Sequence, residues 1–377
     1  MRISITIVAL LTFGSPAGAI DHVALRREAE EETVSGQLIV KAEDGGLMLL
    51  SADGELWSIQ PDEIISHRAD DKPFVPLPAE EAGAAMLKRL PEGFEVYSTA
   101  HYVICHNTSR AYAQWCGALY ERLYTGFMSF WTHKGITLHE PKLPLVCVVF
   151  ADQNSYDRFA RDELAGRADS IVAYYSLRTN RVTMFDLTGV AALRQNDDRR
   201  STTAQINQLL ARPAAERMVA TVIHEATHQL AYNCGLHERF ADIPLWLAEG
   251  VAMYFEAPDL SNSKGWRTIG AVNRPRLRTL RQYRQDRAGN SLQSLITDDK
   301  RLRDPRQASA AYAEAWALNY FLIRQRPTEY VAYLKMLSEK DPLLWDKPQQ
   351  RLDQFKAAFG DLEKLDVDFL RHMQKMR

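Results

Sequence analysis

Apolar residues repeat along this chain at two spacings, and the change from one to the other divides it. Residues 37–41, 47–50 and 55–59 are short apolar runs split by Asp44-Gly45-Gly46 and Asp53-Gly54, both hairpin signals. They predict a small β-barrel-like or β-sheet module over residues 20–75, acting as a packing accessory. Its acid-rich opening, residues 20–32, reads as a short helix or mobile arm. Residues 76–93 are rich in proline and read as a linker with one short helix. The pattern then alternates: a strand over 94–106, an amphipathic helix over 109–130, a buried strand over 143–150 and a helix over 156–164. Residues 171–176 and 181–187 predict a hairpin turned at Arg178-Thr179-Asn180. Beyond it the spacing is helical to the C-terminus. The class predicted is α+β: the β module, then one domain over 94–377 with an α+β part (94–235) and a helical part (236–377).

One helical stretch carries candidate chemistry. Met218, Val219, Val222, Ile223, Ala226 and Leu230 form an apolar stripe at 3.6-residue spacing, opened by Pro213 and stopped by Asn233 and Gly235. On it lies His224-Glu225-Ala226-Thr227-His228. Two imidazoles four residues apart face the same way, and that spacing can place two nitrogens on one zinc ion. Glu225 lies about 100° round the helix, placed to reach a water on the ion without ligating it, which suits a general base. A catalytic zinc needs a third protein ligand and one open position. Cys234, Asp242 and Glu249 are the candidates. Glu249 is favoured, because it interrupts the apolar face of a second helix over 245–255, where a carboxylate without a partner would be costly.

These two segments resemble the gluzincin metallopeptidases, in which H-E-x-x-H is followed about twenty residues later by a glutamate on a second helix. Leu245-Trp246-Leu247-Ala248-Glu249-Gly250-Val251-Ala252 is similar to the L-W-L-x-E-G-x-A of the alanyl-aminopeptidase branch. The resemblance implies His224, His228 and Glu249 as zinc ligands, Glu225 as base and Tyr312 as the oxyanion donor. Read from the residues alone, Tyr312 is equally an aromatic core residue beside Trp316 and Tyr320. The resemblance further implies an antiparallel edge strand bordering the cleft, for which residues 181–186 are the candidate. One feature departs from the branch. No G-x-M-E-N segment precedes His224; Gly270-Ala271-Val272-Asn273 follows the helix and lacks the glutamate that holds a free amino terminus. The expectation is therefore a zinc endopeptidase acting on a peptide or protein. The alternative is an inactive zinc-containing envelope binding or scaffold protein. The chain also resembles exported bacterial gluzincin-like proteins, which brings no substrate with it.

Composition narrows the partners. Of 377 residues, 46% are hydrophobic and 25% charged, with a net charge of −2, so nothing global favours nucleic acid or an anionic membrane. Residues 264–306 hold twelve Lys or Arg against four Asp, read as a solvated helical face. No stacking aromatics are interleaved there as a single-strand platform would need. Residues 1–19 read as a signal peptide: Arg2, an apolar run over 3–13, and Ala17-Gly18-Ala19 as the cleavage signal. The run is too short to span a bilayer, so a periplasmic or secreted protein without stable membrane insertion is expected. Cys105, Cys116, Cys147 and Cys234 allow three disulfide pairings, or serve as four small buried hydrophobes.

Overall fold

A computed structural model describes residues 19–27, 30–161, 163–164, 171–190, 193, 201–257, 259–260 and 266–376. Residues 1–18 of the segment 1–19 expected as a signal peptide lie outside them. The architecture is α+β, with an N-terminal β module, a second sheet and a helical C-terminal region.

The module is an open five-stranded antiparallel sheet in the order β4-β3-β2-β1-β5. Its strands are β1 (Ala19–Arg27), β2 (Glu30–Lys41), β3 (Leu47–Ser51), β4 (Leu56–Ile59) and β5 (Ile64–Pro73). The acid-rich segment expected as a helix or arm is instead β1 and the start of β2. Val23 and Leu25 alternate inward with a period of two, and this outweighs the charges on the outer face. The module's core is small: Val23, Leu25, Val34, Leu47, Leu49 and Ile59. It is also anchored on the rest of the chain. Leu56 N–H donates to Arg178 O at 2.8 Å, Arg239 donates to Gly54 O at 2.9 Å, and Arg181 pairs with Asp53 at 3.0 Å.

Helix α1 (Ala79–Leu87) leads into the second sheet, of order β6-β7-β8-β10-β9. Here β6 (Glu95–Ser98) and β7 (Tyr102–His106) form a hairpin where one strand was expected, because residues 99–101 turn the chain. Helix α2 (Arg110–His133), capped by the Ser109 side chain, returns the chain to the buried strand β8 (Leu145–Phe150), parallel to β7. Helix α3 (Gln153–Ala160) precedes the expected hairpin, β9 (Ala173–Ser176) and β10 (Arg181–Phe185). The edge strand is not the one expected. Strand β10 pairs with β8 on one side and β9 on the other, so residues 181–186 are internal and β9 forms the edge.

The remaining elements are helical: α4 (Thr203–Leu210), α5 (Glu216–Asn233), α6 (Leu245–Phe255), α7 (Arg274–Tyr283), α8 (Ser291–Thr297), α9 (Lys300–Arg303), α10 (Ala308–Gln325), α11 (Pro327–Ser338), α12 (Pro348–Phe359) and α13 (Leu362–Lys375). The basic stretch read as a solvated face is partly structural. Arg287 and Arg301 both pair with Glu314, which is fully buried. All four cysteines are buried and free. Among the described residues no helix is long and apolar enough to cross a membrane.

Candidate metal centre

Helix α5 is held on the second sheet by polar groups as well as by its apolar stripe. Val219, Val222, Ile223, Ala226 and Leu230 are buried. Gln229 donates to the carbonyls of Val146 and Asn180 at 3.0 and 3.1 Å, and Asn233 exchanges hydrogen bonds with the Asn180 amide. These bonds satisfy the Gln229 Nε2 group and the Asn180 and Asn233 amides, which would otherwise be buried at a cost, and they fix the rotation of the helix about its axis. Gly235, at φ 85°, ends it in the left-handed region that glycine adopts most cheaply. The chain then turns through Pro244 into α6, which packs against α5 and α10. Gly250 allows the second contact. A Cβ there would lie 1.8 Å from Asn319 Nδ2, so no other residue lets α10 approach this closely.

The two helices bring three side chains together. His224 Nε2 lies 3.1 Å from His228 Nε2 and 3.1 Å from Glu249 Oε2, and His228 Nε2 lies 3.7 Å from Glu249 Oε1. One donor atom from each lies within 4.8 Å of the others. Two ligands on a tetrahedral zinc at 2.0–2.1 Å stand about 3.3 Å apart, so the observed nitrogen spacing matches what such an ion requires. The ring opposite the cluster is also fixed. His224 Nδ1–H donates to Glu256 Oε2 at 3.0 Å, and Glu256 in turn accepts from Asn273 Nδ2. A carboxylate on Nδ1 selects the tautomer whose Nε2 lone pair faces the cluster, the usual support of a metal-ligating histidine. The donor set of two imidazoles and a carboxylate therefore fits a borderline cation such as zinc.

The electrostatics point the same way. Burial alone would raise the Glu249 pKa, but the facing His224 and His228 rings outweigh it and hold the carboxyl well below the usual range. Burial disfavours a charged His224, yet its contacts with Glu249 and Glu256 push its pKa well above that of an ordinary histidine. The cluster thus attracts positive charge, and a divalent cation can take the place of that extra proton. Burial raises the Glu225 pKa, against the opposing pull of the two imidazoles. Tyr175 N–H, on the edge strand β9, donates to Glu225 Oε2 at 2.9 Å and fixes that carboxylate beside the cluster. Burial and then the charges of Glu249 and Glu225 raise the Tyr312 pKa, so its hydroxyl is a proton donor at neutral pH.

His224, Glu225, His228, Glu249 and Tyr312 all line one cavity of about 390 Å³. The other two ligand candidates lie elsewhere. Cys234 is buried at the end of α5, and Asp242 is fully buried against Arg351 and Lys340. Tyr312 also packs against the main core, so its two sequence readings are compatible. Sequence reasoning missed Glu256, Asn273 and the Tyr175 amide. A signal for Glu256 was present: it follows Glu249 by seven residues, two turns on, and so shares its face. The Tyr175 contact carries no side-chain signal.

None of the curated proteins compared matches the chain. Residues 218–344, which contain all five of these cavity residues and Glu256, match the family described as a protein of unknown function (DUF1570).

Proposed function

We propose that this protein is a zinc-dependent metallopeptidase of gluzincin type that cleaves within peptide chains. The reading rests above all on the convergence of His224, His228 and Glu249, with His224 oriented by Glu256, at a cavity that also holds Glu225 and Tyr312. Zinc, when bound, supplies a Lewis acid that makes water nucleophilic near neutral pH. In this reading Glu225 takes the proton of the attacking water and returns it to the leaving amine. Tyr312 donates its hydroxyl hydrogen to the oxygen that gains charge at the scissile carbonyl. Strand β9 contributes Tyr175 to the cavity lining, and its open edge offers main-chain groups to an extended substrate. The carboxylates that line the cavity among the described residues, Glu225, Glu249 and Glu256, are each engaged with protein groups, so none of these three is left to hold a substrate amino terminus. That favours an endopeptidase over an aminopeptidase. Export to the periplasm or outside the cell is part of the same proposal and is supported by residues 1–19.

The test is a peptide-library digest by the zinc-loaded full chain, wild type against Glu225→Gln. The variant should keep its zinc and lose hydrolysis by roughly a hundredfold or more. Full activity in the variant would remove Glu225 from its role. If 1,10-phenanthroline lowered the melting temperature of a wild type that cleaves nothing, the site would instead be structural, in a binding or scaffold protein.

A further inference from the structure

Among the described residues that line the cavity, one is an arginine, Arg276, and it has no ion pair. Arg276 lies in the first turn of α7, three residues after Asn273, whose side chain caps that helix and also holds Glu256. The link from His224 through Glu256 and Asn273 therefore fixes the start of α7 at the wall of the metal cluster, and with it Arg276. The Arg276 guanidinium lies 5.4 Å from the centroid of the Tyr312 ring. Among the described residues it makes no ion pair and no side-chain hydrogen bond, and it is half-buried. Four other arginines of the same basic stretch are paired with acids. Arg287 and Arg301 share Glu314, Arg303 pairs with Asp299, and Arg306 with Asp304.

A half-buried guanidinium whose donors are unused has only the Tyr312 ring face in exchange for the hydration it gives up. The cavity offers it three carboxylates, yet none lies within ion-pair reach, because each is engaged elsewhere. Its planar fork matches a carboxylate with two parallel hydrogen bonds. It rests against the ring of Tyr312, whose hydroxyl is assigned to the scissile carbonyl. We infer that Arg276 binds a carboxylate of the substrate, so that the peptides cleaved carry an acidic group close to the cleaved bond. That group is either an Asp or Glu side chain or the free C-terminal carboxylate. This inference rests on the peptidase reading above and names the substrate class of the same cavity.

The experiment pairs three peptides of one sequence: one with an internal Glu and an amidated C-terminus, one with Gln in its place and an amidated C-terminus, and one with Gln and a free C-terminus. Each is measured for hydrolysis by the zinc-loaded full chain, and for binding to the zinc-loaded Glu225→Gln chain. Wild type should prefer one carboxylate-bearing peptide over the all-neutral one by roughly ten- to a hundredfold, chiefly in KM and in binding. Which peptide is preferred identifies the source of the carboxylate. In Arg276→Gln the preference should fall toward one, and Arg276→Lys should restore part of it. An unchanged preference in Arg276→Gln would overturn the inference, as would equal treatment of all three peptides by wild type. So would an equal fall in kcat on charged and neutral peptides, which would mean that Arg276 merely positions Tyr312. Binding separates the two readings: a carboxylate preference in binding that depends on Arg276, with no cleavage of any peptide, sustains this inference and sinks the peptidase.

Discussion

Asp242 and Glu249 lie seven residues apart, both in partly or fully buried surroundings, and both were candidates for a third metal ligand. The structure treats them oppositely. Asp242 is fully buried, and both of its oxygens meet cations: Arg351 Nε at 3.0 Å from Oδ2, Arg351 Nη2 at Oδ1, and Lys340 Nζ at 3.6 Å. Arg351 also bonds Asp299 at 3.0 Å, which closes the cluster. Among the described residues Glu249 is hydrogen-bonded or ion-paired with two imidazoles alone, and it lines a cavity. A carboxylate enclosed by fixed cations needs nothing further and ties α12 to the chain ahead of α6. A carboxylate facing two nitrogens, one with its tautomer set from behind, has its negative charge answered only by groups that also bind metals.

The contrast can be broken by substitution. Asp242→Asn leaves Arg351 to Asp299 alone and Lys340 to Asp346 alone, and should destabilise the fold by about 3 kcal/mol in a denaturant titration. The folded variant should still take up one zinc ion per chain; loss of zinc at unchanged stability would reverse the roles assigned here. Glu256→Gln should do the opposite. It should weaken zinc binding by about ten- to a hundredfold in a competition with a chelator, and shift the melting temperature of the metal-free chain little. A variant that binds zinc as tightly as wild type would detach Glu256 from the site.

A smaller effect sharpens the same boundary. His237, five residues before Asp242, is buried against Tyr232, and burial followed by the charge of His228 lowers its pKa to about 3. The unfolded chain therefore takes up this proton first as pH falls. Stability from His237 is complete above about pH 6.5 and declines toward about pH 3, by at most about 1.4 kcal/mol per pH unit. His237→Phe should flatten the stability profile across that window. An unaltered profile would show that His237 does not stay neutral in the fold.

Much of the site was legible in the sequence because it lies on helices. Four-residue spacing gave His224 and His228, and an acidic interruption of an apolar helix gave Glu249. Asn233 and Gly235 marked the end of α5, and Pro213 the turn that leads into it. Contacts between elements were less visible. Strand β1 was hidden because its two inward residues sit among charges, and charge density took precedence over alternation. The hairpin was found, but which of its arms is the edge depends on β8, whose pairing no local pattern encodes. Asn180 and Asn233 read as a turn residue and a helix stop, and their exchange of hydrogen bonds came from the fold alone.

The central claim is that two imidazoles from α5 and one carboxylate from α6 hold a single ion and leave a coordination position free. Zinc K-edge X-ray absorption of the loaded full chain tests it most directly. The account predicts four light-atom neighbours at about 2.0–2.1 Å, two of them imidazole, with one imidazole or oxygen contribution lost in Glu249→Ala or His228→Ala. A sulfur neighbour at about 2.3 Å, which would bring in a cysteine such as Cys234, or a chain that takes up no zinc, would contradict it.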